Sequence, residues 1–138
     1  MSKGISGVVL AGGLGRRMGS VDKGQQTFLG RPLAAWVAER LAPQVDELLI
    51  NANRNEEAYG RLGFPVIADQ LPGFAGPLAG LHAALAHARA PLVATAPCDS
   101  PFLPIDLVPR LATALQKSGA TIAVARCGGR THPVFCLC

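Results

Sequence analysis

An apolar run, Ile5 to Leu10, empties into Ala11-Gly12-Gly13-Leu14-Gly15-Arg16-Arg17-Met18-Gly19, and Lys23 follows shortly after. A buried strand that ends in a glycine-rich loop brings bare backbone N–H groups up to a ligand, and adjacent arginines add positive charge. Together these suit phosphate. The stretch reads as a triphosphate cradle, and it is neither of two better-known phosphate loops. No Gly-Lys-Ser/Thr closes it, since Gly19 precedes Ser20-Val21 and Lys23 precedes Gly24, so the P-loop pattern fails. The dinucleotide pattern G-x-G-x-x-G fails by spacing, because Gly13-Leu14-Gly15 is followed by Arg16-Arg17-Met18 and the next glycine comes one place late. The acid that would bind a ribose at the end of the second strand is also missing, Asn51 standing there instead.

A length of 138 residues, 49% of them hydrophobic, supports one α/β core and is too little for two ordinary domains. The net charge of +4 gathers partly in the loop as Arg16, Arg17 and Lys23, which favours a small polyanion. With 5% aromatic residues and no basic run interleaved with Phe or Tyr, a nucleic-acid stacking platform is not expected. Cys98, Cys127, Cys136 and Cys138 form no C-x-x-C pair and have no histidines at metal-finger spacing, so reduced thiols in a cytoplasm fit best. No secretory leader or membrane-length apolar run stands out, and a soluble cytoplasmic protein is expected.

Strand-like runs at Ile5 to Leu10, Glu47 to Asn51, Pro65 to Ile67, Leu92 to Ala96, Thr121 to Ala125 and Pro133 to Leu137 alternate with helical patterns. Alternation of that kind implies an α/β fold, three-layer α/β/α with a mainly parallel sheet. The first helix is expected from Pro32 to just before Pro43, burying Leu33, Trp36, Val37 and Leu41. A short one follows from Asn55 to Arg61. A third runs from Pro77 to Ala88 with an apolar stripe of Leu78, Leu81 and Leu85, and Gly76 and Gly80 let its start approach a ligand. The fourth follows Pro104, with Val108, Leu111 and Leu115 inward and Lys117 at its end, and Cys127-Gly128-Gly129-Arg130 is a turn.

Ligands of open α/β sheets sit beyond the carboxyl ends of the strands. Leu10 to Gly13, Asn51, Asp69 and Asp99 fall on that rim. Asp99, between Pro97 and Pro101, is one restrained carboxylate, enough for a Mg2+ ion that also takes phosphate oxygens; the alternative is a turn or helix cap. Lys23 is read as a point charge on the α- and β-phosphates, against a solvated surface lysine. Arg17 is a second clamp or else a surface ion pair, and Arg16 is read as exterior. Asn51 offers a donor and an acceptor to a base or ribose, and Asp69 accepts from a purine amino group or a sugar hydroxyl; either residue caps a turn in the competing reading. His82 and His87 are structural, and Cys98 is a small buried hydrophobe.

Leu10-Ala11-Gly12-Gly13-Leu14-Gly15-Arg16-Arg17-Met18-Gly19, then Asp22-Lys23-Gly24, resembles the signature loop of nucleotidyltransferases with a GT-A-like Rossmann fold, the nucleotide-diphospho-sugar transferase type. With Gly76-Pro77-Leu78-Ala79-Gly80 added, the resemblance is to the molybdenum cofactor guanylyltransferases. Ser20 departs from the pattern, standing where many relatives have a second glycine. The resemblance covers the whole chain but only the nucleotide-binding portion of the family's architecture. Relatives continue past the position of Cys138 with another strand, helices and an Asn-containing segment on the pterin side. The expectation is therefore one nucleotidyltransferase domain over 1–138, lacking that C-terminal part.

The resemblance implies transfer of GMP from GTP to the terminal phosphate of Mo-molybdopterin, with release of pyrophosphate. It places GTP against Leu10, Ala11, Gly12, Gly13, Lys23, Asn51, Asp69 and Asp99, with Mg2+ held by Asp99. The attacking phosphate is already an anion, so Lys23, Arg17 and Asp99 would catalyse by alignment and charge neutralisation, without a general base. Molybdoenzyme-maturation proteins are its further implied partners. The competing readings are a cytidylyltransferase for the same cofactor, a sugar-phosphate nucleotidyltransferase, and a nucleotide-binding domain without turnover.

Overall fold

The computed structural model of the chain describes residues 4–11, 23–70 and 77–138. In chain order the elements are β1 (Ile5–Leu10), a 3-10 turn (Lys23–Gln25), β2 (Thr27–Phe28), β3 (Arg31–Pro32), α1 (Leu33–Leu41), a second 3-10 turn (Ala42–Gln44), β4 (Glu47–Asn51), α2 (Glu56–Gly60), β5 (Val66–Ile67), α3 (Pro77–His87), β6 (Leu92–Pro97), α4 (Leu107–Ser118), β7 (Ala123–Cys127) and β8 (Arg130–Leu137). Among the described residues the main sheet has the order β5-β4-β1-β6-β8-β7, and β2 and β3 form a separate small hairpin.

β1 is paired in parallel on both sides, Val8 opposite Leu49 of β4 and Thr95 of β6. β5 extends the parallel part beyond β4, whereas β8 runs antiparallel to both β6 and β7. Strands covered on both faces read as near-continuous apolar runs, which is why Ile5 to Leu10 and Leu92 to Pro97 carry little polar content. Successive side chains alternate between two cores. Ile5, Val9, Leu48, Ile50, Ala94 and Ala96 pack with Val37 and Leu41 of α1 and with Val108 and Leu111 of α4. Val8, Leu49, Ile67 and Val93 pack on the other face with Ala83 and Ala84 of α3. The three-layer, mainly parallel architecture is as expected.

At the amino-terminal edge of the sheet, β1 is tied to β4 by side chains. Ser6 Oγ donates to Glu47 Oε2 at 2.5 Å, the Arg89 N–H donates to the same oxygen at 2.6 Å, and the Ile5 N–H donates to Asp46 Oδ2 at 2.9 Å. The Ser6 hydroxyl and then the Arg89 amide hold the Glu47 carboxyl below the usual carboxylate range.

The helices depart from the expected faces. Pro32 is the residue before α1 rather than its first helical residue, and the buried face of α1 is Ala34, Ala35, Val37, Ala38 and Leu41. Leu33 and Trp36 are only partly buried. Trp36 lies on the flank, its Nε1–H donating to the Phe28 carbonyl at 2.7 Å and its ring under the Arg31 guanidinium. In α3 the correction is larger: Leu78 and Leu85 are 74% and 51% exposed, while Ala79, Gly80, Ala83 and Ala84 face the sheet. Small side chains let the helix backbone come close to β1 and β4; of the expected stripe Leu81 packs against this core, as expected, while Leu78 and Leu85 are turned outward. In α4, Leu107, Val108 and Leu111 are buried, and Gly119 closes the helix in the left-handed region with its N–H on the Leu115 carbonyl. The penultimate strand begins at Ala123 instead of Thr121, and the β2–β3 hairpin was not foreseen.

Replacing the exposed Leu78 with Ser should change unfolding free energy by no more than about 0.5 kcal/mol. Ala83→Leu should destabilise by about 1–3 kcal/mol through overpacking. Urea unfolding of the two variants checks this, and the reverse ranking would restore the leucines to the core.

Candidate active site

The strand order reverses at β1: the chain passes from β1 to β4 and β5 on one side, then crosses to β6 on the other. Such a switch point leaves a crevice at the carboxyl ends of the two central strands. Leu10 is the register partner of both Asn51 and Pro97. Backbone bonds continue the pairing past the strand ends, from Ala11 N–H to the Asn51 carbonyl at 2.7 Å, Cys98 N–H to the Leu10 carbonyl at 3.1 Å and Ala52 N–H to the Ile67 carbonyl at 2.9 Å. Neighbouring strands lie about 4.8 Å apart, so the exits carrying Ala11, Asn51, Asp69 and Asp99 form one row.

The residues singled out from the sequence divide as follows. Ala11 and Asn51 are buried, Leu10 and Asp69 are half-buried, and Asp99 is exposed directly after β6. Gly12, Gly13 and Arg17 lie outside the described residues. For Lys23 the backbone is described, and it opens the 3-10 turn that leads into β2.

Asn51 and Asp69 are partners of each other. Asn51 Nδ2 donates to Asp69 Oδ1 at 2.8 Å, with a longer contact to the Ile67 carbonyl at 3.3 Å. Asn53, absent from the sequence-based candidates, completes the arrangement: its Nδ2 donates to Asp69 Oδ2 at 2.8 Å, and its Oδ1 accepts from the Asp69 N–H at 2.8 Å. Each carboxylate oxygen of Asp69 thus receives one side-chain amide, which fixes the plane of the carboxylate while leaving further acceptor capacity. The alternation Asn51-Ala52-Asn53 was the available signal, since two amides two residues apart leave an extended segment on the same side.

Gly80 of α3 packs directly behind this clasp. A Cβ there would lie 2.5 Å from Asn51 Oδ1 and 2.7 Å from Leu10 Cδ2. The close approach at Gly80 is made to Asn51 and Leu10, two of the residues on the rim, and Gly76 lies outside the described residues.

Asp99 has the donor type and position for a hard cation. Mg2+ bound through nucleotide phosphates takes one or two carboxylates, so a single exposed carboxylate beside the β1 exit fits it. Among the described residues no three His, Cys, Asp or Glu side chains converge into a metal cluster. Cys98 is buried, as expected, and the His87 ring lies 2.9 Å from the Ala83 carbonyl within its own helix, a structural contact.

A mainly parallel sheet with a glycine-loop strand exit at its switch point, and amide and carboxylate groups on the adjacent exits, defines a Rossmann-like nucleotide-handling domain. Residues 7–138 match the MobA-like NTP transferase domain. The chain is 52% identical over 142 aligned residues to a molybdenum cofactor guanylyltransferase from Ralstonia nicotianae, covering 96% of this chain and 70% of the relative. It is 54% identical over 137 residues to the Bordetella pertussis protein of that name, with the same coverage. Among solved structures, molybdopterin-guanine dinucleotide biosynthesis protein A from Archaeoglobus fulgidus superposes with a TM-score of 0.75 at 27% identity, covering 96% of this chain and 66% of that one. The chain belongs to the MobA-like NTP transferase family, and it spans about 70% of the length of its bacterial relatives.

Asn53→Ala should destabilise the domain by about 1–3 kcal/mol, because the Asp69 N–H and one carboxylate oxygen lose their partner. Hydrogen exchange should quicken at the Asp69 amide and stay slow at Val9 in the centre of β1. Unchanged exchange at Asp69 would remove Asn53 from the clasp.

Proposed function

We propose that the chain transfers GMP from GTP to the terminal phosphate of Mo-molybdopterin, releasing pyrophosphate and forming the guanine dinucleotide form of the cofactor. The observation that carries this reading is the pairing of Leu10 with Pro97, which puts the glycine-loop exit and the Asp99 exit side by side. The names of the relatives support the choice of nucleotide and acceptor.

In this proposal Leu10, Ala11, Gly12 and Gly13 present backbone N–H groups to the phosphates, and Lys23 and Arg17 neutralise the charge that grows as pyrophosphate leaves. Asn51 and Asp69 read the guanosine moiety, their geometry set by the clasp with Asn53. Asp99 holds Mg2+, which when bound supplies Lewis-acid neutralisation on phosphate oxygens. The acceptor phosphate arrives already ionised, so no side chain has to remove a proton. Alignment of two anions that repel each other is the main demand on the protein.

The setting we propose is cytoplasmic, with hand-over to molybdoenzyme-maturation proteins and no role for nucleic acid or a membrane. The four cysteines are free thiols, and among the described residues no helix is long and apolar enough to cross a membrane.

Two measurements test the reading. GTP with Mg2+ should raise the unfolding temperature more than CTP or ATP does, since a ligand at about 100 times its Kd adds about 2.7 kcal/mol. Selective stabilisation by CTP would replace the guanine assignment. Lys23→Ala and Asp99→Asn should each lower pyrophosphate release from GTP and loaded molybdopterin by about 10²- to 10³-fold with little change in folding midpoint. Wild-type release in either variant would remove that residue from the mechanism.

A further inference from the structure

Gly24 follows Lys23 in the 3-10 turn and is buried. Its φ lies outside the left-handed region, so the backbone there is one that any residue adopts. What excludes a side chain is space. A Cβ at Gly24 would overlap the phenol oxygen of Tyr59 and lie 3.1 Å from both its Cε1 and Cζ. Among the described residues Tyr59 is the largest fully buried side chain, at 0% exposure. Its ring belongs to the core that includes Ala11, Ala52 and Cys98, so it has no room to swing aside. Its backbone is fixed as well, the Tyr59 N–H on the Asn55 carbonyl at 3.0 Å and the Tyr59 carbonyl accepting from Leu62 N–H at 3.0 Å.

The turn is held from the other side too. Just past it, the Gln26 carbonyl accepts from Leu33 N–H at the start of α1, at 2.8 Å. The backbone that carries Lys23 is thus wedged between a rigid phenol and the first turn of α1.

We infer that Tyr59 is a positioning residue for Lys23: its buried phenol, seated against the bare Cα of Gly24, sets the height of the turn that carries the lysine. This rests on the role proposed above for Lys23. It also joins two parts of the rim, because Tyr59 stands six residues after Asn53. The segment that leaves the Asn51–Asp69 clasp is the one that returns to seat the lysine turn. A displacement of about 1 Å at a catalytic group costs on the order of 10²-fold in rate, so a methyl group at residue 24 is a sensitive probe.

The test is a set of variants assayed for GTP-dependent pyrophosphate release and for folding midpoint. Gly24→Ala should lose about 10²-fold in kcat while remaining folded at the assay temperature. Adding Tyr59→Phe removes the overlapping oxygen, and the double variant Gly24→Ala/Tyr59→Phe should regain at least about tenfold over Gly24→Ala alone. Because the tether acts through Lys23, Gly24→Ala should add no further loss in a Lys23→Ala background. If Gly24→Ala does not fold, Tyr59→Phe carries the test: it should lower kcat, and do so only when Lys23 is present.

The inference is overturned by wild-type kcat in Gly24→Ala, by a double variant no better than Gly24→Ala, or by an additive loss on top of Lys23→Ala. Wild-type release in Lys23→Ala is a different result. It would overturn the role of the lysine itself, whatever the other variants do.

Discussion

Parallel pairing of β1 on both of its edges is the constraint from which the rest of this molecule follows. Because Leu10 is opposite Asn51 on one side and Pro97 on the other, the chain has no freedom to separate the three exits. A slip of one residue would turn Val8 and Val9 to each other's faces and dismantle both cores at once. The register is pinned at the opposite end of the sheet by the Ser6–Glu47 and Ile5–Asp46 hydrogen bonds. Polar groups at the amino edge thereby hold in place the polar groups at the carboxyl edge, across an apolar strand that has none to spare.

Side-chain size controls how tightly the layers close over that rim. Leu78→Ser and Ala83→Leu are informative because α3 meets the sheet through alanine and glycine, Gly80 leaving no room for a Cβ beside Asn51 and Leu10. Gly24 does the same for the lysine turn. At both positions a glycine is needed for room and not for an unusual φ, in contrast to Gly119, whose positive φ ends α4. The site is assembled by backbone brought up against side chains, and this kind of contact transmits position without requiring a hydrogen bond at each step.

Much of this was legible in the sequence, for identifiable reasons. β1 and β4 match their expected limits because a strand buried on both faces leaves a largely apolar run, ending at the glycine loop for β1 and framed by Glu47 and Asn51 for β4. The rim followed from topology once those strands were placed. In α3, Leu81 packs inward as expected but Leu78 and Leu85 face outward, because hydrophobic periodicity weighs leucine above alanine, whereas a helix lying close to a sheet prefers the smaller residue. The shift of β7 to Ala123–Cys127 reflects Thr121 and Ile122, which alternate like a strand but stand outside the pairing with β8. The clasp of Asn51 and Asn53 on Asp69 and the seat of Gly24 on Tyr59 are tertiary contacts between segments far apart in the chain. No local pattern encodes them, although the spacing of the two asparagines was a partial clue.

In the proposed function, the two rim carboxylates divide two kinds of recognition between them. Asp69 is half-buried, with both oxygens engaged by side-chain amides and its own N–H bound to Asn53. A carboxylate so constrained is an acceptor of fixed direction, suited to donors of fixed geometry such as an exocyclic amino group or a ribose hydroxyl. A hydrated divalent cation gains little from that directionality and asks for an accessible oxygen it can share with phosphate. Asp99 is the exposed one, and it stands after β6, on the strand next to the glycine-loop exit, while Asp69 follows β5 at the far end of the parallel row. If a nucleotide lies along the carboxyl edge with its phosphates at the switch point, its base must reach toward β4 and β5. The division between a held carboxylate and an open one then matches the division between base and phosphate in the ligand.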